Sequence, residues 1–478
     1  MAIHAFHKVI QPDWPGNAEA RSQEIKRRMR TRFTWIVGIL VLVSIGLLMA
    51  CSGKYTPHFD GLVVVSTYTG DAVMETFSLD LGNGEMTQVN NADGPPTPGA
   101  ATAVVLNPGG TFAYVIVTQN SAITPSSTGI TAYPVQSDGK LAAGAVTALN
   151  PTSPTVNAPC VPPSGPTTYV STGVQPTPVV PSALAIDSAG KYLFVADTVT
   201  SGQTLPYNCN GSMTTSTVQV PGTVSVFAVN GSSLTEVTGS PFALPIQPGG
   251  QPADATALAV TPTAFPVLNA PCSAHVPPTS EDLYVTDYHN NLVFNYQVTS
   301  TGALSLVQTG GSTQGVPTGT EPNGVAVDPC NRFVYVGNSV GSVSAYTICS
   351  VVSLPECPNA DYSLLPVAGS PYNSGNGAGP LTVDAYAHFL YVLATNSNAV
   401  YGYKISSTNG ALTPLTPAFV ATNSFPTSIA IRSDDSFMFV ANFNSANLSE
   451  YGITPFTGAL TPQPTVTAFP LPWGVAVK

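Results

Sequence analysis

Past residue 60 the chain alternates short apolar runs with turn residues, and after residue 55 it holds no long stretch with an apolar period of 3.6. One kind of run reads Gly-Val-Ala-Val or similar, often after a proline: TAVVLNP from Thr102, SALAIDS from Ser182, TALAVTP from Thr256, NGVAVDP from Asn323, LTVDAYA from Leu381 and SIAIRSD from Ser428. A turn follows, and then an aromatic-valine run: FAYVIV from Phe112, YLFVAD from Tyr192, DLYVTD from Asp282, RFVYVGN from Arg332, FLYVLA from Phe389 and FMFVAN from Phe437. A third run carries an aromatic near its end, at Phe77, Tyr133, Phe227, Tyr296, Tyr346, Tyr403 and Tyr451. Several units then show a Gly-x-Leu turn into a fourth run, as in DGKLAA, TGALSL, NGALTP and TGALTP. Runs of this composition and length, bounded by turn residues, predict β-strands.

Where nothing is inserted the unit repeats at close to 50 residues, from Tyr296 to Tyr346 and from Tyr403 to Tyr451. Four short antiparallel strands per unit at that period predict an all-β fold, a seven-bladed β-propeller of four-stranded antiparallel blades. The first run type occurs six times inside the chain, and the first unit begins instead with its second strand, GLVVVSTY from Gly61. The last residues, PWGVAVK from Pro472, supply the missing inner strand, so the two ends are expected to meet in blade 1 and remove the open edges. The propeller is placed at 60–478, and Ser52–Phe59 reads as a short tether in a segment 51–59. Three insertions interrupt the period: Asn150–Val180, Thr198–Pro221 and Thr261–Ser280.

Residues 1–50 differ in kind. Lys26, Arg27, Arg28, Arg30 and Arg32 precede the apolar run Trp35–Ala50, which ends at Cys51. A basic region, an apolar region and a small residue at the cut describe a secretory signal. Leu48-Met49-Ala50-Cys51 resembles the bacterial lipobox, whose cysteine is lipidated, with an uncleaved single span as the alternative. Either way the remainder is expected outside the cytoplasm, in the cell envelope and tethered to a membrane, with Met29 a candidate start. From Cys51 onward 7 Lys and Arg face 22 Asp and Glu, a net charge of 7 − 22 = −15, which argues against nucleic acid and phosphate-rich partners. The six further cysteines of an exported chain predict disulfides Cys160–Cys209, Cys272–Cys330 and Cys349–Cys357. None has the spacing of a zinc site.

In this topology the loops before the first strand and after the second emerge together at the mouth of the central channel. The polar residues expected there are Asp71, Asp197, Asp254, Asp287, His289, Asn290, Asn323, Asn338, Asn396, Asn442 and Asn444. Such a ring can bind sugar hydroxyls or a hard cation such as Ca²⁺, although Asp and Asn also favour these loops simply because they cap their own backbone. His289 is the only histidine in a mouth loop, and with Asp254 or Asp287 it could form a base pair for proton transfer. No other cofactor is expected.

The units PNGVAVDPCNRFVYVGNSVGSVSAY and PTSIAIRSDDSFMFVANFNSANLSEYGITPFTGALT resemble the seven-bladed propeller lactonase family, with its 6-phosphogluconolactonase-like members, and the broader YVTN-type surface repeats. The resemblance implies hydrolysis of a sugar-type lactone in the central funnel. The family tends to place His before some inner strands and Arg after the Asn of some second strands. This chain has Asn323 after Pro322, Ala253 after Pro252 and Ser182 after Pro181, and Ser339 and Phe443 after Asn338 and Asn442. Two functions stay open: a lactonase-like hydrolase acting on a neutral lactone, and a non-catalytic envelope lipoprotein that binds a glycan, a peptide or another envelope protein. The expected state is a monomer, on the membrane through its N-terminal lipid.

Overall fold

The computed structural model describes residues 61–478 except 69–73, 81, 90–98, 119–127, 150–156, 161–167, 172–179, 199, 210–211, 246, 248–250, 263–280, 308–314, 351–356, 358–359 and 468–470. Cys51, Asp71 and Cys272 therefore lie outside the described residues, as do the tether and everything before it.

Seven antiparallel sheets form a β-propeller, each with strands a to d running from the channel outward. The inner strands a are Pro472–Val477 in blade 1, then Ala100–Leu106, Val180–Ile186, Ala255–Val260, Pro322–Val327, Ala378–Val383 and Pro426–Ile431 in blades 2 to 7. Strands b, in the same order, are Gly61–Thr67, Phe112–Thr118, Tyr192–Thr198, Glu281–Asp287, Phe333–Asn338, Phe389–Ala394 and Phe437–Asn442. They are the most apolar runs because they lie between two neighbouring blades and are buried on both faces; every residue of FVYVGN and of FLYVLA is buried. Strands c are Glu75–Leu79, Gly129–Pro134, Thr223–Asn230, Leu292–Val298, Ser342–Ile348, Ala399–Ile405 and Asn447–Ile453. Strands d are short and more exposed. In blades 3, 4, 5 and 7 strand d comes in two pieces, such as Leu304–Leu306 and Val316–Pro317, both paired to the same strand c.

Blade 1 closes as its composition predicts. Strand a pairs antiparallel with strand b in the register Val63 to Val477, Val64 to Ala476 and Val65 to Val475. Gly474 N donates to Ser66 Oγ at 2.9 Å. A Cβ at Gly474 would come within 2.7 Å of that same oxygen, so only glycine lets the strand approach so closely.

Two recurrent sequence signals have a physical cause. An Asp or Asn ends several strands a because its Oδ1 accepts the backbone N–H groups that open strand b. Asn107 takes Thr111 N and Phe112 N, Asp187 takes Lys191 N, and Asp384 takes His388 N and Phe389 N. The aromatic of strand b and the Gly of the c-to-d turn belong together across blades. Tyr114 Oη donates to Gly231 O, Tyr335 Oη to Gly410 O and Tyr391 Oη to Gly458 O, each bond joining one blade to the next. Strand-c tyrosines reach the other way: Tyr346 Oη donates to Pro317 O and Tyr451 Oη to Ala421 O. Each such bond contributes about 0.5–1.5 kcal/mol net.

The first two insertions carry two-stranded hairpins, Asn157–Cys160 with Thr168–Ser171 and Thr200–Cys209 with Ser212–Val220. Cys160 and Cys209 end strands in these hairpins, and their side chains fall outside the description. The Cys349–Cys357 disulfide forms as expected and staples the c-to-d segment of blade 5. Cys330 is buried and disulfide-bonded.

Candidate functional site at the mouth of the channel

All seven strands a contribute to one cavity of ≈ 430 Å³ on the propeller axis. It is lined by the beginnings of those strands, together with Thr395 and Phe425, which places it at the end where the d-to-a and b-to-c loops emerge. A cavity of about 300–1,000 Å³ is the usual size for a small organic ligand. The wall is built of small hydroxyl, amide and aliphatic side chains with Phe425 and Trp473, and among the described residues no titratable side chain lines it. Several hydroxyls already hold neighbouring blades together. Ser182 Oγ donates to Ala255 O at 2.7 Å, Thr256 Oγ1 to Pro322 O at 2.9 Å and Thr427 Oγ1 to Trp473 O at 2.7 Å. Asn323 stays exposed in the wall.

The predicted polar residues divide by where strand b ends. Asp287, Asn338 and Asn442 each occupy its last position and Asp197 the one before it, and all four are buried. Asp197 Oδ2 accepts Thr223 Oγ1 at 3.1 Å and Ser225 Oγ at 2.9 Å, and burial pushes this carboxyl up to about 7 against the pull of those two bonds. Asn338 Nδ2 donates to Ser342 Oγ and Ser344 Oγ, both at 3.1 Å, and Asn442 Nδ2 donates to Asn447 Oδ1 and Ser449 Oγ, both at 2.9 Å. The recurrent Asp or Asn thus ties strand b to a polar-x-Ser opening of strand c. Asp287 makes a denser version: its Oδ1 accepts Asp254 N at 2.9 Å and its Oδ2 accepts Asn290 Nδ2 at 2.8 Å. Burial raises its carboxyl despite those bonds. Asn290 also bridges to Gln251 O and Gln251 N, so it fixes the loop. Asn396 and Asn444 are exposed on their loops.

His289 and Asp254 come together at the rim of blade 4, with Nε2 3.6 Å from Oδ2. Nδ1 lies 3.3 Å from Pro252 O. Both ring nitrogens thus face oxygen acceptors, and a neutral ring can donate to only one of them. The histidine side chain is 34% exposed, accessible to a ligand at the mouth. Among the described residues, no group of three or more His, Cys, Asp or Glu side chains is arranged to hold a metal ion.

Sequence reasoning passed over the residue before the strand-a proline. Glu321, Phe425 and Leu471 each precede that proline and adopt φ of 57°, 57° and 50°. Their carbonyls accept Ser339 N, Phe443 N and Tyr68 N, pinning the d-to-a loop to the b-to-c loop of the same blade. Non-glycine residues in this region cost of order 1–3 kcal/mol each. These backbone bonds hold Glu321 near Tyr288 and Phe425 at the cavity. Phe425 belongs to an aromatic cluster with Phe443, Trp473 and Tyr68, with ring centroids 5.1–6.0 Å apart. The x-Pro dipeptide that opens strands a of blades 5, 7 and 1 was the available signal.

The family described as lactonase, 7-bladed β-propeller, matches residues 358–478. No curated protein sequence matches the chain. Among solved structures, the chain is similar to the periplasmic gluconolactonase of Pseudomonas aeruginosa at 18% identity and TM-score 0.54, over 87% of this chain and 98% of that one. A protein of Bacteroides fragilis provisionally assigned as a 6-phosphogluconolactonase gives 14%, 0.56, 88% and 99%. One from Lactobacillus plantarum gives 16%, 0.56, 87% and 99%. At these identities the likeness speaks for the fold.

Proposed function

We propose that this propeller hydrolyses an uncharged, sugar-type lactone at the mouth of its channel, with His289 and Asp254 moving the proton and Asp287 holding their loop. The observation that carries the reading is an accessible imidazole–carboxylate pair, 3.6 Å apart, at the rim of the axial cavity of a lactonase-type propeller. In the reaction, water attacks the lactone carbonyl and gives its proton to the His289–Asp254 pair. The tetrahedral intermediate then expels the ring oxygen, which takes the proton back, leaving the hydroxy acid. The six Lys and Arg of residues 61–478 lie in a-to-b turns, in a c-to-d turn, near the far end of a strand c or just after the closing strand a, away from the mouth. Neutral donors such as the Asn323 amide are left to meet the developing oxyanion, and a phosphorylated lactone would find no cation.

The signal-like N-terminus adds that the enzyme works in the cell envelope, anchored through Cys51. A second reading, binding without turnover, draws on the absence of titratable side chains from the cavity wall. Assay of neutral and phosphorylated lactones decides. Turnover is expected for neutral lactones, falling about 10²–10⁴-fold in His289→Ala and Asp254→Asn. Full activity in both variants removes the site, and no turnover of any lactone leaves the binding reading.

A further inference from the structure

The mouth is chemically two-sided. Blades 4 and 5 bring His289, Asp254, Tyr288 and Glu321 to one side of it. Blades 7 and 1, across the ring, bring Phe425, Phe443, Trp473 and Tyr68. Trp473 packs 5.1 Å from Tyr68 and 5.2 Å from Phe443, measured between ring centroids. These rings fill the space between themselves, so a ligand meets the outer faces of the cluster. Tyr68 is 43% and Phe425 38% exposed, and Phe425 and Trp473 also wall the axial cavity. Large aromatics are not left at the mouth of a cavity without consequence, and two of these four are held there by left-handed backbone at Phe425 and Leu471.

The charge at the mouth narrows what fits. Asp254 and Glu321 lie there, and among the described residues no Lys or Arg does, so an anionic ligand is repelled. A purely apolar ligand would cover the exposed Asn323 amide in the wall without pairing it, which is costly. A pyranose satisfies both sides: its C–H face stacks on an aromatic ring, and its hydroxyls donate to carboxylates and exchange bonds with amides and hydroxyls. We infer that the Phe425–Phe443–Trp473–Tyr68 cluster is a sugar-stacking subsite, and that the ligand is a neutral oligosaccharide whose reactive end sits at blade 4 while another ring rests on blades 7 and 1. The inference deepens the proposed reading of the mouth. The His289–Asp254 pair stands on blade 4 and the aromatic cluster on blades 7 and 1, so each takes its own sugar ring of one ligand.

Trp473 makes the test direct, because the other tryptophans, Trp14 and Trp35, precede the propeller. The full chain is titrated with maltotriose, cellotriose, chitotriose, glucose and glucose 6-phosphate, following tryptophan emission and, in parallel, saturation-transfer NMR of the sugar. At least one trisaccharide is expected to bind tenfold or more tighter than glucose. Its emission change should vanish in Trp473→Phe, and its affinity should drop about tenfold in Tyr68→Ala and in Phe425→Ala, each checked for an unchanged melting temperature. Equal binding of glucose and every trisaccharide overturns the inference. So does insensitivity to both aromatic variants, or a preference for glucose 6-phosphate. Trisaccharide binding without turnover of any lactone leaves the subsite standing and removes the hydrolytic reading. Lactone turnover with no trisaccharide preference does the reverse.

Discussion

The two faces of the propeller are built from the same repeats yet are chemically opposed. At the mouth, loops carry carboxylates, amides and an aromatic cluster, with no cation and with strained backbone at Glu321, Phe425 and Leu471. On the opposite face the a-to-b turns also hold left-handed residues, Asn331, Ala387 and Asp435, but their charge differs: Arg332, Arg432, Lys191 and Lys140 lie in turns there, Lys404 near the end of a strand c and Lys478 after the closing strand a, along with the Cys349–Cys357 disulfide. There Arg332 Nε and Nη2 both reach the buried Asp328 Oδ2, at 2.7 and 2.5 Å, and Nη1 extends to Ser407 O of the next blade. One face uses its polar groups to join blades, and the other leaves some of them to solvent. The difference teaches that stability and recognition are divided between the ends of the same strands, so each should be separable by mutation.

The closing strand underlies both faces, and its loss should have the largest effect. Deleting Trp473–Lys478 removes the strand paired to Gly61–Thr67 and exposes the apolar contacts of blade 1 with blade 7 around Val63 and Val65 and with blade 2 around Leu62 and Val64. Loss of the cooperative melting transition and of the strand signal in circular dichroism is expected. A cooperative transition within a few degrees of the intact chain would show that the ring does not depend on closure.

The next effect isolates the opposite face. Asp328→Ala leaves the Arg332 guanidinium buried without its partner, and breaking a buried pair in this way costs about 3–5 kcal/mol. Denaturant unfolding should show that loss, while lactone turnover or sugar binding by the protein that remains folded stays at the wild-type level. A change in mouth function at this site would mean the two faces are coupled through strands a and b.

Much of this division could be read in the residues, and part of it could not. The period, the seven units and the shared blade 1 follow from patterns such as GVAV and FVYV, because strand burial leaves an apolar record in the order of residues. The mouth left a poorer record. Asp197, Asn338 and Asn442 sit where the loop reading placed them, but their side chains turn to Ser225, Ser344 and Ser449, and nothing in a single strand names a partner on the neighbouring one. Tyr68, Phe425, Phe443 and Trp473 are scattered over 406 positions, 473 − 68 + 1, and only ring closure gathers them.

Titration gives a smaller, graded test of the same contrast. On the opposite face burial pushes Asp384 and Asp435 up to about 6, and Glu281 and Asp282 up to about 7, with Asp187 adding to the effect on Glu281. Towards the mouth Asp197 and Glu75 are described counterparts, also near 7. The unfolded chain loses these protons near pH 4, whereas the folded one keeps them to about pH 6–7. The native state therefore binds more protons in that window, and stability falls as pH rises through it, levelling off above. Urea midpoints should decline from pH 4.5 to pH 7.5, and Glu281→Gln should flatten the decline more than any change at an exposed mouth carboxylate. A midpoint that rises across the window contradicts the burial argument.

The smallest effect tests one bond of the opposite face against its own exception. Tyr391 and Tyr284 occupy the same position in strands FLYVLA and EDLYVTD, and both are fully buried. Tyr391 Oη donates to Gly458 O at 2.8 Å. Tyr284 Oη finds no partner among the described residues, because blade 5 replaces the Gly-x-Leu turn with the disulfide-bonded segment after Cys349. Removing the hydroxyl from Tyr391 strands a buried carbonyl and should cost about 1–2 kcal/mol, whereas Tyr284→Phe removes an unsatisfied group and should cost nothing or stabilise slightly. Equal losses in the two phenylalanine variants would mean that the inter-blade bond contributes no more than the packing of the ring that carries it.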